Sequence, residues 1–332
     1  MKKIIIALLI TAMLVLFLNG CTVKKTAAMY TNDYLVSALG FEETGGRLTV
    51  VAETVIINTE DTEAEKKRVL LEGRGETATE AFADLYKSSV QLLEFSHCAV
   101  AVIDIDISEN VLSQIIDYCK TLEKLNLSVQ FISSSYTKKL LSFEPVTSVA
   151  MGYDIVSMLS TNTDLKGIKY KNRLYEIEAQ RKTELNIFAL PSFAINKDTY
   201  FIDGLSVFKE NGFALSLNNE QASIYAIASD SQTKGSFLID SVNYKIESNI
   251  TTSQLSRNNP QTIIFTVKIK TNGDKKIIKE KIEQLFEYSK QYETDIFLIG
   301  NILAHRNTAV WQKVKNNYDE YYRDSELKVR MK

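Results

Sequence analysis

Cys21 is the residue whose chemistry the sequence specifies most fully. It follows Leu18-Asn19-Gly20 and closes an unbroken apolar stretch from Ile4 to Leu18, itself preceded by Lys2 and Lys3. An aliphatic residue three places before a cysteine, with a small one directly before it, is the pattern of a bacterial lipoprotein signal. The small side chain lets a peptidase reach the bond, and the free thiol can take a diacylglycerol. The fifteen residues from Ile4 to Leu18 rise only about 22 Å as a helix, short of the roughly 30 Å hydrocarbon core. A signal-peptide apolar region of about 7–15 residues fits better. Cleavage between Gly20 and Cys21, with lipid attachment at Cys21, is the expectation; an uncleaved signal anchor is the alternative. Two or more acyl chains, at about 0.8 kcal/mol per buried methylene, hold stably where one is marginal.

The remaining candidates carry less. His97 in EFSHCAV precedes an apolar run, and as a catalytic base it would need a carboxylate and a nucleophile brought to it in space. Asp104 and Asp106 alternate near a strand end, where they could present paired carboxylates or simply end the strand and lead into a helix cap. His305 in ILAHRNT reads as loop or strand end. Gly73-Arg74-Gly75 lacks the Lys-Ser/Thr of a phosphate loop. There is no GxSxG, HExxH or EF-hand pattern. No catalytic residue, metal ligand set or cofactor is expected. Cys98 and Cys119 form no CxxC pair, which argues against zinc. In an exported chain they could form a disulfide, although their apolar surroundings read as buried thiols.

Composition narrows the class. The chain is 45% apolar and 24% charged, within the globular norm. Formal net charge is −2 and becomes −4 once Lys2 and Lys3 are removed. The densest basic stretch, Lys275, Lys276, Lys279 and Lys281, is broken by Glu280 and Glu283 and reads as a solvated helix face, so nucleic acid is not an expected partner. No later apolar run approaches 18 residues, so no second span is expected.

The elements that must position these groups follow from periodicity. Leu48–Ile57, Arg68–Glu72, Cys98–Ile105 and Leu127–Ile132 read as strands, the third as one buried on both faces. Thr77 with Glu80 is a capping-box pattern ahead of a helix carrying Ala78, Ala81, Phe82 and Leu85. Ser108 can cap a second helix with Val111, Leu112, Ile115, Ile116, Cys119 and Leu122 inward. Ser148–Leu159 hints at a helix, and the Arg181–Phe188 patch is ambiguous. Phe201–Phe208 and Phe213–Leu217 read as a hairpin about Asn211-Gly212. Asn218 or Asn219 can cap a helix through Ile227, Thr262–Lys270 alternates as a strand, and Lys275–Tyr288 has a helical apolar face. A helix over Trp311–Tyr322 and a strand at Leu327–Met331 close the chain. The class is α+β, with mixed β-sheets flanked by helices. The expected divisions are a signal peptide 1–20, a tether 21–33, an N-terminal α/β domain 34–198 and a C-terminal α/β region 199–332, with a further split near 250 as an option.

Three blocks resemble, in order, the Ger(x)C family, the lipoprotein C subunits of bacterial spore germinant receptors. They are GRGETATEAFADLYKSSVQLLEFSHCAVAVID, DGLSVFKENGFALSLNNEQASIYAIA and DIFLIGNILAHRNTAVWQKVKNNYDEYYRDSELKVRM, the last with a "D-x-x-x-x-G" segment leading to Trp311. Thr22-Val23 stand where the family has Trp-Asp, and Tyr318 where it often has a second Trp. The resemblance implies an elongated, non-enzymatic protein of three mixed α/β domains, lipid-anchored on the outer face of the spore's inner membrane. It also implies work beside A-type and B-type membrane subunits. Whether the small-molecule germinant touches this subunit stays open. The competing readings are a solute-binding or other surface lipoprotein and a lipid-anchored hydrolase using Asp104, Asp106 or His97.

Overall fold

The computed structural model describes residues 34–57, 66–166, 168–229, 234–256 and 262–332. The expected leader and tether, Gly20 and Cys21 included, lie outside the described residues.

β1 (Tyr34–Thr44) and β2 (Arg47–Ile57) pair antiparallel about Gly45 and Gly46. Both glycines have positive φ, as a two-residue hairpin turn requires. β3 (Lys66–Gly75) pairs with β2. α1 (Ala78–Ser88) starts where Thr77 Oγ1 accepts from the Glu80 N–H at 3.2 Å. The Glu80 carboxylate returns to the Glu76 N–H at 2.9 Å rather than to Thr77, so the expected box is displaced by one residue.

β4 (Leu93–Glu94) and β5 (Val100–Asp104) run parallel to β1. α2 (Glu109–Thr121) buries the expected face, but the Ser108 side chain does not cap it. The Ser108 N–H instead donates to Glu43 at 2.8 Å. β6 (Gln130–Ser134), α3 (Thr137–Ser142), α4 (Met151–Lys166) and α5 (Leu174–Arg181) follow. β7 (Ile187–Asn196), β8 (Thr199–Lys209) and β9 (Gly212–Leu217) extend the sheet to the order β3-β2-β1-β5-β6-β7-β8-β9, with β4 beside β1.

Side-chain alternation builds this sheet into two cores. Val100 and Val102 face Leu140, Leu141, Met151 and Ile155 of α3 and α4. Ala101 and Ile103 face Phe82, Leu112 and Ile116 of α1 and α2. β5 is therefore covered on both faces, as its continuous apolar run implies. A register shift between Val36 and Ala38 puts Val36 and Leu39, three apart, in the same core.

α6 (Asn219–Ser229) begins where the Asn218 side chain accepts from the Gln221 N–H and Gln221 returns to the Asn218 N–H, each at 2.9 Å. β10 (Gly235–Ile239), β11 (Val242–Leu255), β12 (Thr262–Thr271) and β13 (Glu326–Met331) form a second sheet in that order. β12 and β13 are parallel, so the chain between them must cross over. It does so through α7 (Lys275–Gln291), α8 (Ile299–Arg306), α9 (Thr308–Val314), a 3₁₀ turn at Lys315–Asn317 and α10 (Tyr318–Arg323).

β7 to β9 are the wall between the two halves. Phe188, Leu190 and Phe208 join the core under α1 and α2. Ile187, Leu205, Val207, Leu215 and Leu217 join a core with Phe237, Phe265, Phe286 and Trp311 of the C-terminal half. Lys209 on β8 pairs with Asp319 at 2.7 Å. The α+β class with helix-flanked mixed sheets is what the structure has. Where the resemblance implies three domains, the described residues build two sheets. The division expected at 198 falls in the β7–β8 turn, whose flanking residues Asn196 and Thr199 pair, and residue 250 lies inside β11.

Two local expectations are corrected. The hairpin turn is Glu210-Asn211, both at positive φ, with Lys209 and Gly212 paired across it. The helix expected over Trp311–Tyr322 is three short pieces, broken at Asn316-Asn317, residues that favour turns over helix interiors.

Candidate functional site

The structure does not bring the hydrolase candidates together. His97 is exposed in the turn before β5, and its carbonyl accepts from the Tyr153 hydroxyl at 3.3 Å. Asp104 is the last residue of β5, so the length of that strand, roughly 15 Å or more, separates the two. Asp104 Oδ1 accepts from the Asp106 N–H at 3.0 Å, a turn that ends the strand rather than a carboxylate pair. Burial raises the Asp104 carboxyl, partly opposed by that N–H. His305, expected in a loop or strand end, is exposed in the last turn of α8. A Cβ on Gly73 would sit 2.2 Å from the Leu85 backbone nitrogen, so that glycine lets α1 lie on β3. Cys98 and Cys119 are buried free thiols in one core. Burial pushes Cys119 up to about 12 and Cys98 higher still.

Buried carboxylates at two sites organise the molecule instead. Glu53, in the middle of apolar β2, is fully buried and pairs with Arg68 of β3 at 2.9 Å. Its two oxygens also accept from the Met151 N–H at 2.7 Å, the Gly152 N–H at 2.9 Å and the Ser37 hydroxyl at 2.7 Å. Met151 begins α4, so Glu53 supplies from another strand the negative group that a helix N-terminus needs. Arg68 donates to the carbonyls of Leu141 at 3.1 Å, Ser142 at 3.2 Å and Phe143 at 2.7 Å, the C-terminal end of α3. One ion pair thus satisfies two helix ends of opposite polarity. Gly152 completes the fit, since a Cβ there would stand 2.4 Å from the Ser37 carbonyl oxygen. Asp154, one turn further, accepts from the Thr147 hydroxyl at 2.7 Å and the Tyr200 hydroxyl at 3.3 Å. Burial raises its carboxyl, but hydrogen bonds from Ser148, Thr147 and the Val146 and Thr147 N–H groups outweigh burial and leave it at about 2.

The second site centres on Asp295, the acid of the "D-x-x-x-x-G" segment. Its Oδ2 accepts from the Gly300 N–H at 2.9 Å and from the Tyr318 hydroxyl at 2.7 Å. Tyr318 stacks edge-on against Trp311 with ring centroids 5.3 Å apart. A Cβ on Gly300 would stand 2.9 Å from the Tyr318 ring and 2.6 Å from Leu185, which comes from the turn ahead of β7. Burial lifts the Asp295 carboxyl from the ordinary 3.8 to about 6, against the pull of Tyr318 and the nearby N–H groups. The lone acid in the apolar run LTVVAETVII was a signal for Glu53. Nothing local marked its partners, which lie up to 99 positions away.

Two adjoining cavities open here, the first where the halves meet and the second within the C-terminal half. One of about 150 Å³ is lined by Tyr170, Gln180, Ala189, Leu205, Tyr225 and Leu298. The other, about 440 Å³, includes Ser229, Thr251, Phe297 and His305. The hydroxyls of Ser229 and Thr251 donate to the Tyr225 and Ile227 carbonyls at 2.6 and 2.8 Å, so neither is set as a nucleophile toward His305. Among the described residues no group of three His, Cys, Asp or Glu could hold a metal ion.

A family model described as the spore germination protein N-terminal domain matches residues 30–195. A second, described as spore germination B3/GerAC like, C-terminal, matches residues 242–332. The chain belongs to the Ger(x)C family of spore germination proteins. The first match takes in the Glu53–Arg68 pair and the second takes in Asp295, Gly300, Trp311 and Tyr318. Among solved structures, the crystal structure of the GerBC protein matches with a TM-score of 0.49 and 13% identity, covering 88% of this chain and 95% of that one. No curated protein matches in sequence. Members of this family are membrane-associated in spores. Among the described residues no helix is long and apolar enough to cross a membrane.

Proposed function

We propose that this Ger(x)C protein is the lipid-anchored subunit of a spore nutrient germinant receptor, non-enzymatic and acting through contact with A-type and B-type membrane subunits. The observation that carries this reading is the pair of family matches, one in each half and in family order. The lipoprotein signal ending at Cys21 supports attachment to the outer face of the inner spore membrane, with residues 21–33 as the tether. The separation of His97 from Asp104 and the engagement of the buried carboxylates in helix ends support a role without catalysis. Anchoring would raise the effective concentration of the subunit beside its partners.

Deleting the gene and following nutrient-triggered germination of purified spores tests the reading. Slowed or lost germination is expected, with response to a non-nutrient trigger retained. Unchanged germination with every available nutrient would remove the protein from receptor function.

A further inference from the structure

The first strand begins where the expected tether ends, and the surface around that start is apolar. The Tyr34 N–H donates to the Leu92 carbonyl at 3.0 Å, and Leu93 of β4 lies opposite Tyr34 in a parallel pair. β5 and β6 run in the same direction, with Val100 opposite Ala38 and Gln130 opposite Val100. The start of β1 and the residues just ahead of β4 and β6 therefore share one end of the sheet. Val90 there is 88% exposed, Leu92 61% and Leu127 48%.

Two tyrosines flank this group. The Tyr86 ring lies 6.3 Å from Phe95, and the Tyr175 N–H donates to the Leu127 carbonyl at 3.2 Å; both side chains are exposed. Basic groups are interleaved with them, along with one exposed acid, Glu123, near Tyr86. Lys124 pairs with Glu94 at 2.6 Å, Arg173 donates to the Tyr175 hydroxyl at 3.2 Å, and Lys87 is exposed next to Tyr86.

Isolated exposed apolar residues need no explanation, whereas a cluster at one pole does. Apolar side chains edged by tyrosine and by lysine or arginine match the boundary between headgroups and acyl chains. There the phenol sits at headgroup depth and the cation reaches phosphate. The position of the cluster selects the occupant. Twelve residues lie between Cys21 and Tyr34, at most about 45 Å of extended chain from one to the other. A lipid on Cys21 therefore keeps this end of the sheet within reach of the bilayer.

We propose that the end of the N-terminal sheet formed by Val90, Leu92 and Leu127 rests on the phospholipid surface and sets the orientation of the whole body on the membrane. The proposal rests on the lipid-anchor reading of Cys21. β1, β5 and β6 then run away from the bilayer, and the Asp104 end of the sheet faces outward.

The test uses the mature lipidated chain in vesicles of phosphatidylglycerol and phosphatidylcholine. A fluorophore is placed at Leu92→Cys or, as control, at Leu238→Cys on β10, which is 63% exposed. The native thiols Cys98 and Cys119 are buried, so labelling is confined to the introduced cysteine. Lipids carrying a shallow nitroxide should quench the label at 92 severalfold more than that at 238. Adding Val90→Asp and Leu127→Asp should bring the two to the same level, with the circular dichroism spectrum unchanged. Equal quenching at 92 and 238 in chains that float with the vesicles overturns the proposal and leaves the surface to a protein partner. Chains that do not float overturn the anchor reading, and the proposal with it.

Discussion

The Tyr318 hydroxyl donates to Asp295 Oδ2 at 2.7 Å inside the C-terminal core. That bond ties the segment before α8 to the start of α10, with Gly300 held between them. An acid in this position is held at a cost, because burial favours its neutral form.

The cost sets a pH dependence. The folded carboxyl titrates at about 6 against an ordinary 3.8, so the folded state binds the proton more tightly. Its contribution to stability is full below pH ~4, is lost as pH rises through ~6 and is flat above, about 3 kcal/mol in all. Asp295→Asn should remove that slope from urea-unfolding free energies measured between pH 4 and 7. Parallel curves for variant and parent would dismiss Asp295 as the source.

Asp154 behaves in the opposite sense. Its folded carboxyl lies at about 2, below the ordinary 3.8. The stability it contributes is present above pH ~4 and lost as pH falls through ~2, about 2 kcal/mol in size. Asp154→Asn should lower the unfolding free energy at pH 7 by about that amount and leave it nearly unchanged at pH 2. An equal loss at both pH values would mean that shape, not charge, holds Val146 and Thr147.

The Glu53–Arg68 pair predicts a strong non-additivity. Arg68→Met leaves a buried carboxylate facing only N–H and hydroxyl donors and should cost about 3–5 kcal/mol. Glu53→Gln keeps one acceptor and should cost less. The double variant should lose less than the sum of the two by 1 kcal/mol or more, on the order expected for a contacting pair. Additive losses in denaturant titrations would show that the two side chains act separately.

For the anchor, Cys21→Ala should abolish labelling by radioactive palmitate and release the chain from membranes into the soluble fraction. A variant that stays membrane-bound and uncleaved would establish the signal-anchor alternative.

Much of the fold was legible in the sequence because local pattern and tertiary burial agree there. β5 reads as doubly buried because apolar residues face both cores, and α1 and α7 read as helices because one face of each is covered. β1 carries no clean period-two pattern, since a register shift beside Ser37 breaks its alternation and its start falls against polar sequence. β10 and β11 leave a blurred pattern, since the apolar Leu238, Val242 and Ile250 face outward and a register shift between Ile246 and Ser248 breaks the alternation. The candidate residues fared differently. His97 and Asp104 are close in sequence but stand at opposite ends of a strand, while Glu53, Arg68, Met151 and Phe143 meet only through the sheet. Pairings of that range leave no periodic trace.

β7 and β8 give one face to each half of the molecule. Among the described residues the two sheets meet through this packed wall, so a load applied to the four-stranded sheet reaches the larger one as a tilt instead of being absorbed. Pulled or heated, the two halves should give way in a single event. A molecule seated on a membrane at one end would thus carry displacement at its far end as a lever carries it.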